Sequence, residues 1–137
     1  MKLSLKSEYA CLALIDLATH HEKGLRTTAQ IAEAQGIPKK FLEQILLALK
    51  YGGYLQSRKG AGGGYRLAKD PRNITLAEVI RLMDGSLSPV ASVSKFFYQP
   101  TPVMKHKQLL RVFKDIRDHT VNILEQTTFG DLIGTKQ

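Results

Sequence analysis

RKGAGGGYRL, residues 58–67, sets a run of glycine between two basic clusters. Four of its ten residues are glycine, and Arg58, Lys59 and Arg66 bracket them. Three structures suit such a stretch: a phosphate-cradling loop of an enzyme, a flexible linker, and a hairpin tip pressed against a polyanion. A nucleotide loop requires a strand, then glycines, then a helix whose N-terminus meets phosphate. Here the glycines run into YRLAKD, which alternates like a strand and ends at Asp70–Pro71, and no Gly-Lys-Ser/Thr follows. The hairpin accounts for more: glycine lets backbone approach backbone, and the flanking cations are then free to meet phosphate or a minor groove.

The flanks agree. YLQSRK (54–59) and GYRLAK (64–69) each alternate apolar and polar residues, as two short strands around a glycine turn do. Upstream, PKKFLEQILLALKY (38–51) repeats Phe41, Leu42, Ile45, Leu46 and Leu49 at helical spacing, with Pro38 suited to a first turn. Before it, LRTTAQIAEAQGI (25–37) makes a shorter helix, capped by Thr27 or Thr28, carried through Ile31, Ala32 and Ala34, and closed at Gly36. Two short helices joined by a glycine-containing turn are the sequence form of a helix-turn-helix. Downstream, DPRNITLAEVIRLMDG (70–85) turns, caps at Thr75 and forms another helix with Glu78 in its first turn. Residues 3–22 supply a preceding helix whose apolar surface, Tyr9 to Ala18, is wide enough for burial on more than one side. The fold class is therefore mainly α with a small β-hairpin wing, a winged helix-turn-helix, followed by a long C-terminal helix.

That last helix is expected over residues 105–126, where Leu109, Phe113, Ile116, Thr120 and Ile123 step by three or four and Leu124 adjoins them. Its apolar face exceeds what one short domain needs. The preceding SLSPVASVSKFFYQPTPVM (86–104) carries three prolines and no period. It reads as an ordered loop, because Phe96, Phe97 and Tyr98 are costly to expose together. TTFGDLIG (127–134) closes the chain with a short terminal piece.

At 137 residues the chain suits one domain with an extension. Its net charge of +8 favours an acidic partner. Between Pro38 and Arg72 eight basic residues face Glu43 and Asp70, a local net of +6. This clustering points to nucleic acid rather than to a uniformly solvated surface. The N-terminal lysines followed by an apolar run resemble a signal peptide, but Glu8 and Asp16 interrupt the run and no small-residue cleavage site follows, so a cytoplasmic protein is expected. No segment is apolar enough to span a bilayer. The single cysteine, Cys11, forms no internal disulfide and reads as inert core. Catalytic patterns are thin. His20 and His21 sit at a helix end, His106 and His119 lie thirteen residues apart, and neither HExxH nor CxxC occurs, so neither an enzyme nor an ordinary metal site is indicated.

The second helix of the pair is the candidate recognition helix. Recognition helices present their first turns to base edges. Gln44 is able to form two hydrogen bonds with adenine, Glu43 to accept from cytosine, and Lys39 and Lys40 to hold phosphates. Thr28, Gly60, Tyr65 and Arg66 complete the candidate DNA-binding set with Arg58 and Lys59.

SLKSEYACLALIDLA (4–18), QIAEAQGIPKKFLEQIL (30–46), the wing segment 53–85 and LEQTTFGDLI (124–133) together resemble the Rrf2 family of bacterial transcriptional regulators, the IscR, NsrR and CymR group. The likeness covers nearly the whole chain, and the IPxxFLEQIL helix with the RxGxGGGYxLAxxPxxITLxEV wing is specific. The resemblance implies a homodimer, read here as a repressor, whose winged heads bind a partly palindromic duplex operator and whose long helix pairs across a two-fold axis. It also implies, for many members, an iron–sulfur cluster held by three cysteines in the loop before that helix. This sequence departs there: the cysteine positions fall on Ser92, near Thr101, and near Lys105–Lys107, beside His106. Hydroxyls are poor iron ligands beside thiolates, so no cofactor is expected. Some relatives complete the site with an acidic residue near the N-terminus, where Glu8 stands; Glu8 with His106 is at most a relic, and a surface carboxylate is the plainer reading.

The expected division is a DNA-binding domain over 1–84, an effector loop over 85–104, and a dimerisation helix with tail over 105–137. An effector, small molecule or protein, would change the separation of the two heads through that loop. Two rivals remain at this point: a cluster-free family member acting mainly through a protein partner with weak DNA binding, and a small nucleotide-using enzyme.

Overall fold

The computed structural model describes residues 2–134. It is mainly helical, with one two-stranded antiparallel hairpin. In chain order the elements are α1 (Leu5–Thr19), α2 (Thr28–Gln35), α3 (Lys39–Tyr51), β1 (Leu55–Arg58), β2 (Gly64–Leu67), α4 (Leu76–Asp84), α5 (Lys107–Gln126) and α6 (Phe129–Gly134), with single 3-10 turns at Pro71–Asn73, Ala91–Val93 and Pro102–Lys105.

α1 is shorter at both ends than its apolar run suggests. Ser4 caps it, its Oγ accepting from the Ser7 N–H at 3.1 Å while donating to the Asp84 carboxylate at the end of α4. At the other end the His20 N–H turns back to the Asp16 carbonyl and the His21 N–H to that of Ala18, and Glu22 at φ +64° takes the chain away. Ala10, Ala13, Leu14, Leu17 and Ala18 place α1 at the centre of the core, against Ile31 of α2, Leu42, Ile45, Leu46 and Leu49 of α3, and Leu55 and Leu67 of the hairpin. Each large aliphatic side chain buried there contributes about 1.5–3 kcal/mol relative to exposure. Tyr9 and Phe41 add an edge-to-face contact, centroids 5.3 Å apart, that fixes the start of α3 on α1.

Of the two threonines offered as the cap of α2, Thr27 takes the role. Its Oγ1 accepts from the Gln30 N–H at 3.1 Å, and the Gln30 side chain accepts from the Thr27 N–H at 2.9 Å. Gly36, at φ +67°, makes the turn into α3, a left-handed conformation that an L side chain resists. Thr75 and Glu78 repeat the reciprocal cap on α4.

A smaller cluster of Ala77, Ile80, Leu87 and Val121, with Leu124 against it, seats α5 on α4. The Arg81–Glu125 ion pair at 3.0 Å spans the same helices. α5 begins at Lys107, two residues later than expected, because Pro102–Lys105 forms its own 3-10 turn and His106 caps the helix. The terminal piece is α6, and it folds back: Phe129 is fully buried in the main core, and its N–H donates to the Ile74 carbonyl at 2.9 Å. The tail thus packs with the N-terminal head, although sequence order grouped it with α5.

One expectation fails. The loop before α5 is ordered by two 3-10 turns, yet not through burial of its aromatic residues: Phe96, Phe97 and Tyr98 are 67%, 46% and 53% exposed. Arg81 lies over the Phe96 ring at 4.7 Å, and the Tyr98 hydroxyl meets Met104. The loop is instead pinned by backbone and small polar groups, including Arg117 donating to the Val93 carbonyl at 2.8 Å.

Candidate nucleic-acid interface

α3 divides its residues cleanly. Leu42, Ile45, Leu46 and Leu49 point into the core, which leaves Lys39, Lys40, Glu43 and Gln44 exposed on the opposite side of its first turns. Thr28, the first residue of α2, is half-buried beside the capping threonine. Gly52 and Gly53 end α3, and the chain enters β1 at once.

The hairpin pairs Leu55 with Leu67, Gln56 with Arg66, Ser57 with Tyr65 and Arg58 with Gly64. Leu55 and Leu67 face the core, while Gln56 and Arg66 face out and hydrogen-bond to each other at 3.0 Å. Residues 59–63 form the tip. A Cβ on Gly63 would lie 2.2 Å from the Arg58 carbonyl oxygen, so the tight return of the chain requires glycine there. Arg58, Lys59 and Gly60 are exposed. Among the described residues the Arg58 guanidinium reaches only the Gly62 carbonyl, at 3.4 Å.

The cations of this surface are unpaired, as are Lys2, Lys6, Lys23, Lys95, Lys105, Lys107, Arg111 and Lys114 elsewhere among the described residues; what sets the surface apart is that its cations flank one helix and one hairpin. Among the described residues, ion pairs occupy Arg26, Lys69, Arg72, Arg81 and Arg117. None of them involves Lys39, Lys40, Lys50, Arg58, Lys59 or Arg66, as is needed of cations that displace counterions from an acidic polymer. Tyr65 differs from the other candidates: its ring is half-buried against the core, and its backbone pairs with Arg26.

Arg26 is the element that sequence reading missed. Its N–H donates to the Tyr65 carbonyl at 2.8 Å and its carbonyl accepts from the Tyr65 N–H at 2.7 Å, adding a third, one-residue strand to the wing. The bridge is too short to leave a periodic signal. At its other end the wing is moored to α4. The Tyr54 hydroxyl and the Thr75 N–H each donate to the Glu78 carboxylate at 2.8 Å, and Lys69 lies 4.9 Å from the centre of the Tyr54 ring. Partial burial works against the Glu78 charge, but the bonds from Thr75 and Tyr54 overcome it and hold the carboxyl below its ordinary range. Burial and the nearby Asp84 and Glu8 charges push the Cys11 thiol up to about 11, which fits an inert cysteine.

In the loop before α5, the Ser92 and Thr101 hydroxyls meet at 2.6 Å, with Ser92 buried. The His106 Nδ1 accepts from the Leu109 N–H at 3.1 Å as the helix cap, and Glu8 lies exposed on α1. Among the described residues no three His, Cys, Asp or Glu side chains gather where they would hold a metal ion, and no helix is long and apolar enough to cross a membrane.

A helix-turn-helix with an unpaired cationic wing and an added long helix defines a winged-helix transcriptional regulator. Residues 3–135 match the Rrf2 family, described as an iron-dependent transcriptional regulator. The chain belongs to this family, whose members are regulators and not enzymes. It is 33% identical to the HTH-type transcriptional regulator IscR of Escherichia coli, over all of this chain and 83% of that one. Among solved structures, CymR, the global cysteine regulator of B. subtilis, superimposes with a TM-score of 0.79 at 30% identity, covering 100% of this chain and 99% of that one. IscR of T. potens gives 0.72 at 33% identity, covering 98% and 87%.

The family description implies iron, and the donors present do not fit an iron–sulfur cluster. Ser92 and Thr101 offer neutral hydroxyls already satisfied by each other, where a cluster needs thiolates.

Proposed function

We propose that this chain is a sequence-specific, DNA-binding repressor that acts in the cytoplasm as a homodimer on a partly palindromic operator and holds no iron–sulfur cluster. The observation that carries the reading is the set of exposed, unpaired cations on α3 and the wing tip, Lys39, Lys40, Arg58 and Lys59. Glu43 and Gln44, one turn further along α3, read base edges; the lysines and the wing hold the backbone. The head formed by residues 1–84 carries the contacts. α5 pairs with its copy through the face of Leu109, Phe113, Ile116, Thr120 and Ile123, while Leu124, expected on that face from the sequence, packs on α4 instead, and the loop 85–104 between head and helix passes the effector's message. Two recognition helices in successive major grooves place the half-sites roughly 34 Å apart.

Selection of bound duplexes from a random pool tests this. The expected product is a two-fold related motif with half-sites about one helical turn apart. Affinity for the recovered duplex no greater than for random sequence would instead favour a regulator acting through a protein partner. In cells, removal of the protein is expected to raise transcription from promoters that carry the motif.

A further inference from the structure

We propose that Asp16 is a positioning residue for DNA binding: through Arg26 it sets the wing against the helix-turn-helix. The proposal rests on the reading of the wing as a DNA contact. Asp16 sits on α1 with its side chain 2% exposed, inside a helix that otherwise supplies aliphatic core. The Arg26 Nε donates to its Oδ1 and the Arg26 Nη2 to its Oδ2, both at 3.0 Å. Gln35, the last residue of α2, donates to Oδ2 at 3.3 Å. The His20 ring lies 3.7 Å from Oδ1 and hydrogen-bonds the Asp16 carbonyl at 2.8 Å. One carboxylate therefore touches Arg26, just ahead of α2, and the last residue of α2.

Arg26 carries this constraint to the wing. Its backbone makes both hydrogen bonds to Tyr65 in β2. The neighbouring Gly64 approaches so closely that a Cβ there would lie 2.5 Å from the Arg26 carbonyl oxygen. The guanidinium itself is mostly buried and committed to Asp16, so Arg26 does not serve as a phosphate ligand. A two-point fork fixes direction as well as distance, which a single hydrogen bond does not. A buried ion pair is a poor source of net stability, but a rigid link between two binding elements lowers the ordering cost when both engage one duplex.

The test uses Asp16→Asn and, because a lone buried guanidinium risks misfolding, the neutral pair Asp16→Asn/Arg26→Gln. Amide hydrogen exchange in the free full-length chain is the first readout. Exchange at Arg26 and Tyr65 is expected to rise about ten-fold or more while Leu46 and Leu49 in α3 change by less than about two-fold. No rise, or an equal rise throughout α3, overturns the proposal by reducing Asp16 to general stability. The second readout is affinity for a duplex recovered by selection, measured with the native wing and with Arg58→Ala/Lys59→Ala. The Asp16 variants are expected to lose about five-fold or more with the native wing and less than about two-fold without its cations. Equal losses in both backgrounds overturn it. If Arg58→Ala/Lys59→Ala alone leaves affinity unchanged, the DNA reading of the wing falls, while the exchange data still decide whether Asp16 orders it.

Discussion

The hydroxyl of Ser92 and the hydroxyl of Thr101 stand 2.6 Å apart, nine residues from each other in sequence, at two places where the family resemblance puts cluster-binding cysteines. The fold brings those two positions together, and they meet through a hydrogen bond between hydroxyls rather than through thiolates. Anaerobic purification followed by iron and sulfide reconstitution is therefore expected to give a colourless protein whose duplex affinity equals that of the untreated sample. A brown protein with visible charge-transfer absorption would show that this ligand argument is wrong. Ser92→Ala is expected to cost about 1 kcal/mol of stability, read by urea denaturation, since it leaves the Thr101 hydroxyl without its partner.

The wing cations make a second prediction. Arg58 and Lys59 are exposed and have no carboxylate partner among the described residues, so each is available to a phosphate. Removing both in Arg58→Ala/Lys59→Ala is expected to weaken binding to every duplex alike. It is also expected to flatten the slope of log affinity against log salt by about 1 for each phosphate no longer neutralised, or about 2 in all. Gln44→Ala should act differently, changing which sequences are preferred more than overall affinity. A fluorescence-anisotropy titration over several salt concentrations distinguishes the two, and an unchanged slope for the wing variant would remove it from the interface.

The helix-turn-helix and the wing are legible in the sequence because each rests on local rules. Gly36 marks a left-handed turn, Leu42 to Leu49 repeat at helical spacing, and the alternation on either side of Gly60–Gly64 gives two strands. What is not legible depends on contacts distant in sequence. Arg26 joins Tyr65 across 39 positions by a bridge too short for any period, and Asp16 looks like an interruption of an apolar helix until its partner is seen. Phe129 belongs to the head although it follows the long helix, because only the folded chain reveals where a tail returns. The exposure of Phe96, Phe97 and Tyr98 escapes prediction because a rule about burial says nothing of whether one chain has enough surface to provide it.

Acid stability should report the mooring of the wing on α4. The Glu78 carboxyl is held below its ordinary value of 4.5, so its bonds to Thr75 and Tyr54 contribute fully above that value and are lost as the pH falls through the depressed one. Glu78→Gln is expected to be less stable than the native chain by about 1 kcal/mol at neutral pH, with partial solvent exposure limiting the effect. The difference should shrink toward zero as both proteins are titrated well into the acid range. Parallel urea melts across pH measure this, and a gap that widens in acid would contradict the sign.

The face of α5 is the remaining exposed feature that needs a partner. Leu109, Val112, Ile116 and Ile123 are between 41% and 59% exposed, spaced by three, four and seven residues along one side of the helix. Phe113 and Thr120 are half-buried beside them, while Leu124 turns toward the cluster formed by Ala77, Ile80, Leu87 and Val121. A stripe of this kind along a twenty-residue helix, about 30 Å long, is rarely left in water, and an identical helix across a two-fold axis offers a matching apolar surface. Ile116→Glu places a charge in the middle of the stripe and leaves the head's core untouched. Sedimentation equilibrium is expected to give about twice the 15.3 kDa chain mass for the native protein and the single-chain mass for the variant. The variant should fold normally by circular dichroism yet bind a two-half-site duplex at least about ten-fold more weakly, because its heads no longer arrive as a pair. A native chain that sediments as a monomer, or a variant that remains dimeric, would place the self-association surface elsewhere.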